Sequence, residues 1–188
     1  MSTFLPPLSD QDRDHVLSPG FVTAMLFTTF LGVFYMTVTN MAGIYIVSSM
    51  GGSHLISIYA MVYFALGNAL GIPLAQPLAH RFGTRYTLVG CLIVYACFST
   101  LCALAPNFIW FNIFRLGLGW ASGPFYIIAY HFFVTYASPK KRQTLTSFLS
   151  AEFSVVPTFG VCFGGWLAYE AHWRWIFHVN GPTALLLA

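Results

Sequence analysis

Two charges sit inside long apolar stretches of this chain. Arg115 is the one Asp, Glu, Lys or Arg in residues 108–134, and Glu152 is the one in residues 144–168. A charge in the middle of an apolar, membrane-crossing helix costs at least ~2.5 kcal/mol, so it is expected to face a cavity or a partner rather than lipid. Arg115 lies about seven residues inside its stretch, roughly 10 Å along a helix, and Glu152 about eight residues inside its own from the opposite end. Their depths differ by a few Å, and the stretches are sequence neighbours. The expectation is that Arg115 and Glu152 approach one another or line one polar cavity. Glu152 is then a candidate proton carrier, and the rival reading is a structural ion pair. Asn40, Asn68 and Gln76 are uncharged polar groups within the first two apolar runs, able to bond between helices or to touch a small molecule. His131 could titrate. The six histidines show no metal-ligand spacing, so no metal site is expected. No nucleophile–base pair and no P-loop is readable. Neither an enzyme nor an ATP-driven machine is therefore supported, and no cofactor is expected.

These residues need rods to hold them. Residues 21–47, 55–79 and 86–105 carry no Asp, Glu, Lys or Arg at all. With 108–134 and 144–168 they make five runs, each long enough for a ~30 Å hydrocarbon core, which takes about 20 helical residues. Only 7% of the 188 residues are charged and 57% are hydrophobic, too little polar surface to cover a water-soluble domain. The fold class read from this is an all-α, polytopic transmembrane bundle, with the lipid bilayer as its surroundings. Residues 1–19 form an N-terminal tail and 20–188 the bundle. The last residues, Gly181–Ala188, read as the start of a sixth span, cut short. The rival reading is five spans with an apolar tail. Tyr169–Asn180 reads as an external segment whose Trp173, Trp175 and Phe177 suit the headgroup layer.

Basic residues alternate along the connections. Arg81 and Arg85 follow run two, and Lys140, Lys141 and Arg142 follow run four, while 48–54 and 106–107 carry none. The positive-inside rule puts the tail and these two turns in the cytoplasm. No basic face lies outside the short turns, which excludes a nucleic-acid partner. The cysteines Cys91, Cys97, Cys102 and Cys162 all fall inside the runs and form no CxxC pair, as expected of small apolar filler. GxxxG spacing recurs at Gly67/Gly71, Gly119/Gly123 and Gly160/Gly164, which lets helix backbones approach closely where lipid offers no hydrophobic drive. Pro73, Pro77 and Pro157 interrupt helical bonding and permit kinks.

Several of these stretches match a family pattern. Pro77-Leu78-Ala79-His80-Arg81-Phe82-Gly83-Thr84-Arg85 resembles the cytoplasmic signature turn of the major facilitator superfamily. Arg115-x-x-x-Gly119 with Ala121-x-Gly123-Pro124 is similar to its second signature. Pro157-x-x-Gly160-x-x-x-Gly164-Gly165-Trp166 is similar to its antiporter signature. The run from His172 through Phe177, with Asn180-x-Pro182, resembles the EmrB/QacA-type drug exporters, as does Asn68-Ala69 with Ile72-Pro73-Leu74. The resemblance covers nearly the whole chain after residue 25. It implies the N-terminal portion of a fourteen-span drug:proton antiporter in a bacterial inner membrane, exporting small molecules by alternating access. A periplasmic adaptor protein and the C-terminal half of the transporter would be its partners. His80, Arg81, Gly83 and Arg85 would form a cytoplasmic latch against that half, and the helix-five glycines, Gly165 included, would let that helix slide. The family's helix-one acid appears here as Tyr35, its latch acid as His80 and its lead glycine as Pro77. Gly160 is followed by Val161, and the family's helix-four glutamine is Leu118. A truncated, non-transporting membrane scaffold and a nutrient or metabolite carrier are the alternatives.

Overall fold

The computed structural model describes residues 19–49, 54–170 and 173–187. Their order is α1 (Pro19–Ser49), α2 (His54–Gly71), a 3-10 turn (Ile72–Leu74), α3 (Ala75–Phe82), α4 (Thr84–Ala103), α5 (Phe108–Tyr136), α6 (Pro139–Glu170) and α7 (Arg174–Leu187). No strand occurs among the described residues. Helices suit a bilayer, since each satisfies its own backbone groups.

Local chemistry sets the breaks. Pro73 has no amide proton, and the helix tightens into the 3-10 turn around it before resuming as α3. Gly83 separates α3 from α4 at φ 87°, ψ 150°, a region that essentially only glycine enters. Asn107 caps α5, its side-chain oxygen accepting from the Trp110 amide at 3.1 Å. Pro139 opens α6, where its missing amide proton costs nothing.

Among the described residues, four stretches are long and apolar enough to cross a membrane: Pro19–Gly43, Ile58–Phe82, Thr84–Ala103 and Pro139–Leu167. The 29-residue α5 is also long enough to span, and it carries Asn112, Arg115, Ser122 and His131 among its apolar residues. It occupies the middle of the bundle. α2 and α4 pack along it most extensively, and α1 and α6 also touch it. Phe111, Leu118, Phe125 and Phe133 of α5 are buried in the shared core. α6 packs chiefly on α1 and turns Phe148, Phe159 and Trp166 outward.

The two basic turns lie at one end of the bundle. The His80 ring, at the end of α3, meets the His131 ring of α5 at 6.3 Å. Phe21, at the start of α1, packs edge-on against Phe132 of α5 at 5.2 Å.

The segment before Gly181 differs from its expectation. Helix α7 starts at Arg174, inside the stretch read as external. Trp173, Ile176 and Phe177 are buried, with Trp173 and Phe177 both edge-on to Phe111, and the Trp173 indole donates to Ser49 Oγ at 2.8 Å. Of the three aromatics assigned to the headgroup layer, Trp175 alone is exposed. The aromatic run has one face for the bundle and one for the outside, which composition alone does not distinguish. Of the cysteines, Cys91 and Cys102 are buried and Cys97 and Cys162 are exposed.

Candidate functional site: a cavity between α1, α2 and α5

Glycine determines how close the helices come. A Cβ on Gly67 would lie 2.1 Å from the Leu116 carbonyl oxygen, and one on Gly71 2.2 Å from that of Trp120. In return, a Cβ on Gly119 would lie 2.1 Å from the Phe64 carbonyl oxygen, and one on Gly123 2.7 Å from that of Asn68. The two GxxxG pairs of α2 and α5 therefore face each other, backbone on backbone. The third pair lies against α1. A Cβ on Gly160 would meet Thr37 at 2.8 Å and one on Gly164 would meet Val38 at 2.9 Å, while Gly165 faces open space.

Beside the α2–α5 seam, and bounded also by α1, lies a cavity of about 390 Å³. That volume suits a small organic ligand. Its walls are largely apolar, with Phe64, Phe125, Tyr126 and Phe153 supplying rings. The polar groups at the wall are Thr29, Asn68 and Ser122. Asn68 Nδ2 donates to Ser122 Oγ at 3.3 Å, and Ser122 in turn donates to the Gly119 carbonyl at 3.0 Å. The pair is thus anchored on the glycine seam.

Arg115 and Glu152 are not brought together. Arg115 is 1% exposed, its Nη2 donates to Asn40 Oδ1 at 3.4 Å, and its guanidinium lies over the Phe64 ring at 4.7 Å. Glu152 is half-buried, and its Oε2 accepts from Thr29 at 2.6 Å. Neither charge is itself a lining residue, but each touches one: Arg115 reaches the cavity through Phe64 and Glu152 through Thr29. Equal depth sets height along the bundle. Azimuth, which advances about 100° per residue, sends the two side chains to different neighbours.

The remaining candidates divide by position. Asn40 partners Arg115, and Asn68 lines the cavity. Tyr35 is half-buried on α1 beside Thr183 of α7. Gln76 is exposed on α3 and does not line the cavity. His80, Arg81, Gly83 and Arg85 are exposed at the basic end. Pro157 is half-buried within α6. One buried pair escaped the search for site residues: Asn180 Nδ2 donates to the Tyr95 hydroxyl at 3.0 Å. Asn180 stood in a quoted motif, but nothing in the sequence pointed to Tyr95, 85 residues away.

Comparison with known proteins places this bundle. The Major Facilitator Superfamily model matches residues 24–188. The chain belongs to that superfamily. It is a multi-pass membrane protein. It is 31% identical over 162 residues to the multidrug export protein EmrB of Haemophilus influenzae, covering 86% of this chain and 32% of that one. It is 32% identical over 149 residues to a multidrug resistance protein B homolog of Mycobacterium tuberculosis, covering 79% and 28%. The chain thus spans about a third of the length of these relatives. Among solved structures, a bacterial homolog of the lysosomal transporter Spinster superposes with a TM-score of 0.73 at 22% identity, over 89% of this chain and 42% of that one. At that identity the likeness speaks to the fold alone.

Proposed function

We propose that this chain is the N-terminal bundle of a proton-coupled exporter of apolar or amphipathic small molecules, working by alternating access. The observation that carries the reading is the cavity, with ring-lined walls, an Asn68–Ser122 polar spot and one charge behind each of two wall residues. The relatives named for multidrug export support the direction and substrate class. Glu152 is the proposed proton site, since it is a carboxylate within the spans and hydrogen-bonded to the cavity wall. Arg115 and Asn40 hold α5 against α1 through the polar centre. Arg81, Gly83 and Arg85 form the latch, with Gly83 giving the turn and the arginines charge-assisted bonds to the remainder of the transporter. The setting we propose is a bacterial inner membrane with the N-terminus and basic turns in the cytoplasm, and with a periplasmic adaptor as a further partner.

The test uses the full-length protein in liposomes loaded with a pH-sensitive dye. A transported lipophilic drug should move protons in the opposite direction, and Glu152→Gln should abolish the coupled proton flux. Drug movement that ignores an imposed pH gradient would refute proton coupling. Unchanged coupling in Glu152→Gln would remove that residue from the mechanism.

A further inference from the structure

Among the polar groups of the cavity wall, Asn68 keeps the most unused hydrogen-bonding capacity. Thr29 is 3% exposed, and its one hydroxyl proton is claimed by Glu152 Oε2 at 2.6 Å, with the Leu26 carbonyl at 2.9 Å as a second acceptor. Ser122 gives its proton to the Gly119 carbonyl at 3.0 Å and accepts from Asn68 at 3.3 Å. Tyr126 brings a hydroxyl on a rotating bond, its ring stacked on Tyr130 and edge-on to Phe153. Asn68 differs from all three. A carboxamide carries two N–H donors and a carbonyl acceptor on one plane. One N–H goes to Ser122, and no described residue takes the second N–H or bonds to Oδ1. The side chain is half-buried at the wall, and the Ser122 bond ties it to the glycine seam between α2 and α5. Asn68 therefore holds a donor and an acceptor side by side, in a wall made mostly of rings and aliphatic carbon.

We propose that Asn68 makes the cavity selective for uncharged, ring-bearing molecules that carry a donor and an acceptor on one planar group, an N–H beside its carbonyl as in a lactam or an imide. Such a group pairs with the Asn68 carboxamide through two parallel bonds. Its N–H donates to Oδ1, and its carbonyl accepts from Nδ2. Water meets both atoms when no ligand is bound, and a ligand that displaces it without replacing the bonds loses affinity. Charge counts against a cationic ligand. No charged side chain among the described residues lines the cavity, and the Phe64 ring already attracts the Arg115 guanidinium at 4.7 Å. A second cation on that ring would face the same positive charge. The Glu152 carboxylate is engaged by Thr29, behind the wall. This selectivity rests on the transport reading and adds a substrate class to it.

The experiment measures equilibrium binding of fluorescent probes to the full-length protein in detergent. The probes are naphthalimide, its N-methyl derivative and the permanent cation N-methylacridinium. Naphthalimide has the N–H and carbonyl edge, the N-methyl imide keeps the rings and carbonyls but lacks the proton, and the third probe is a cation of similar ring size. The expected result is about tenfold tighter binding of naphthalimide than of either other probe, since an acceptor left facing a ligand without a donor costs on that order. Asn68→Leu should weaken naphthalimide about tenfold and leave the N-methyl imide little changed, so that the two imides bind alike. An Asn68 that only bonds α2 to α5 would move both imides together. Equal binding of the two imides by the parent would overturn the selectivity. So would binding of neither imide, N-methylacridinium held as tightly as naphthalimide, or both imides weakened alike in Asn68→Leu. The comparison within the parent decides the matter even if Asn68→Leu does not fold. Proton coupling is read separately in the liposome assay. A coupled exporter that binds both imides equally loses the selectivity alone, and a selective cavity without coupled flux loses the coupling alone.

Discussion

Helices α5 and α6 are similar in length and opposite in placement. α5 has 29 residues and carries Asn112, Arg115, Ser122 and His131, and three of those four are buried. α6 has 32 residues and exposes Phe148, Phe153, Val155, Phe159, Phe163 and Trp166. In a water-soluble domain such a row of large apolar side chains would face inward. Here lipid rewards apolar surface on the outside, and the polar groups within α5 are sheltered by its neighbours. The glycines follow the same division. Gly119 and Gly123 of α5 meet the backbone of α2 and Gly117 meets the Phe98 ring, while Gly160 and Gly164 of α6 meet α1 and Gly165 meets nothing.

The contrast can be broken at four positions. The largest effect is expected from Gly119→Ala, because its new Cβ meets a backbone oxygen that cannot rotate away. A loss of about 3 kcal/mol or more should appear as a collapsed yield of folded protein in detergent. Gly164→Ala should cost about 1–3 kcal/mol, since α6 has one packed face and can shift outward; the midpoint of unfolding in denaturing detergent measures it. Glu152→Gln retains an acceptor for Thr29 and should stay within about 1 kcal/mol of the parent, so any loss of transport in it is functional. Gly165→Ala should raise stability by about 0.5–1 kcal/mol, because its Cβ meets nothing and glycine is a poor helix former. A destabilised Gly165→Ala would mean that α6 has a further neighbour on that face.

The helical, membrane-spanning character was legible because a bilayer imposes its thickness on the chain: charge-free runs had to be rods. GxxxG spacing could be read for close approach, but not for partner. That Gly67 and Gly119 face each other depends on how α2 and α5 rotate about their own axes. The same limit separated Arg115 from Glu152, whose depth was readable and whose direction was not. Tyr95 with Asn180, and Trp173 with Ser49, are contacts between residues 85 and 124 positions apart, and no local pattern announces them. The start of α7 was missed because tryptophan suits a headgroup layer and a helix interface alike.

The central claim is that substrate passes between α1, α2 and α5 rather than along the outer face of α6. Substrate protection of single cysteines in the full-length protein tests it most directly, in a background where this chain's four cysteines are replaced. Ser122→Cys reports the cavity and Phe159→Cys the outer face, each labelled with a membrane-permeant maleimide. The account predicts that a transported drug slows labelling at Ser122→Cys several-fold and leaves Phe159→Cys unchanged. Equal rates at Ser122→Cys with and without drug, in protein that still transports, would contradict it.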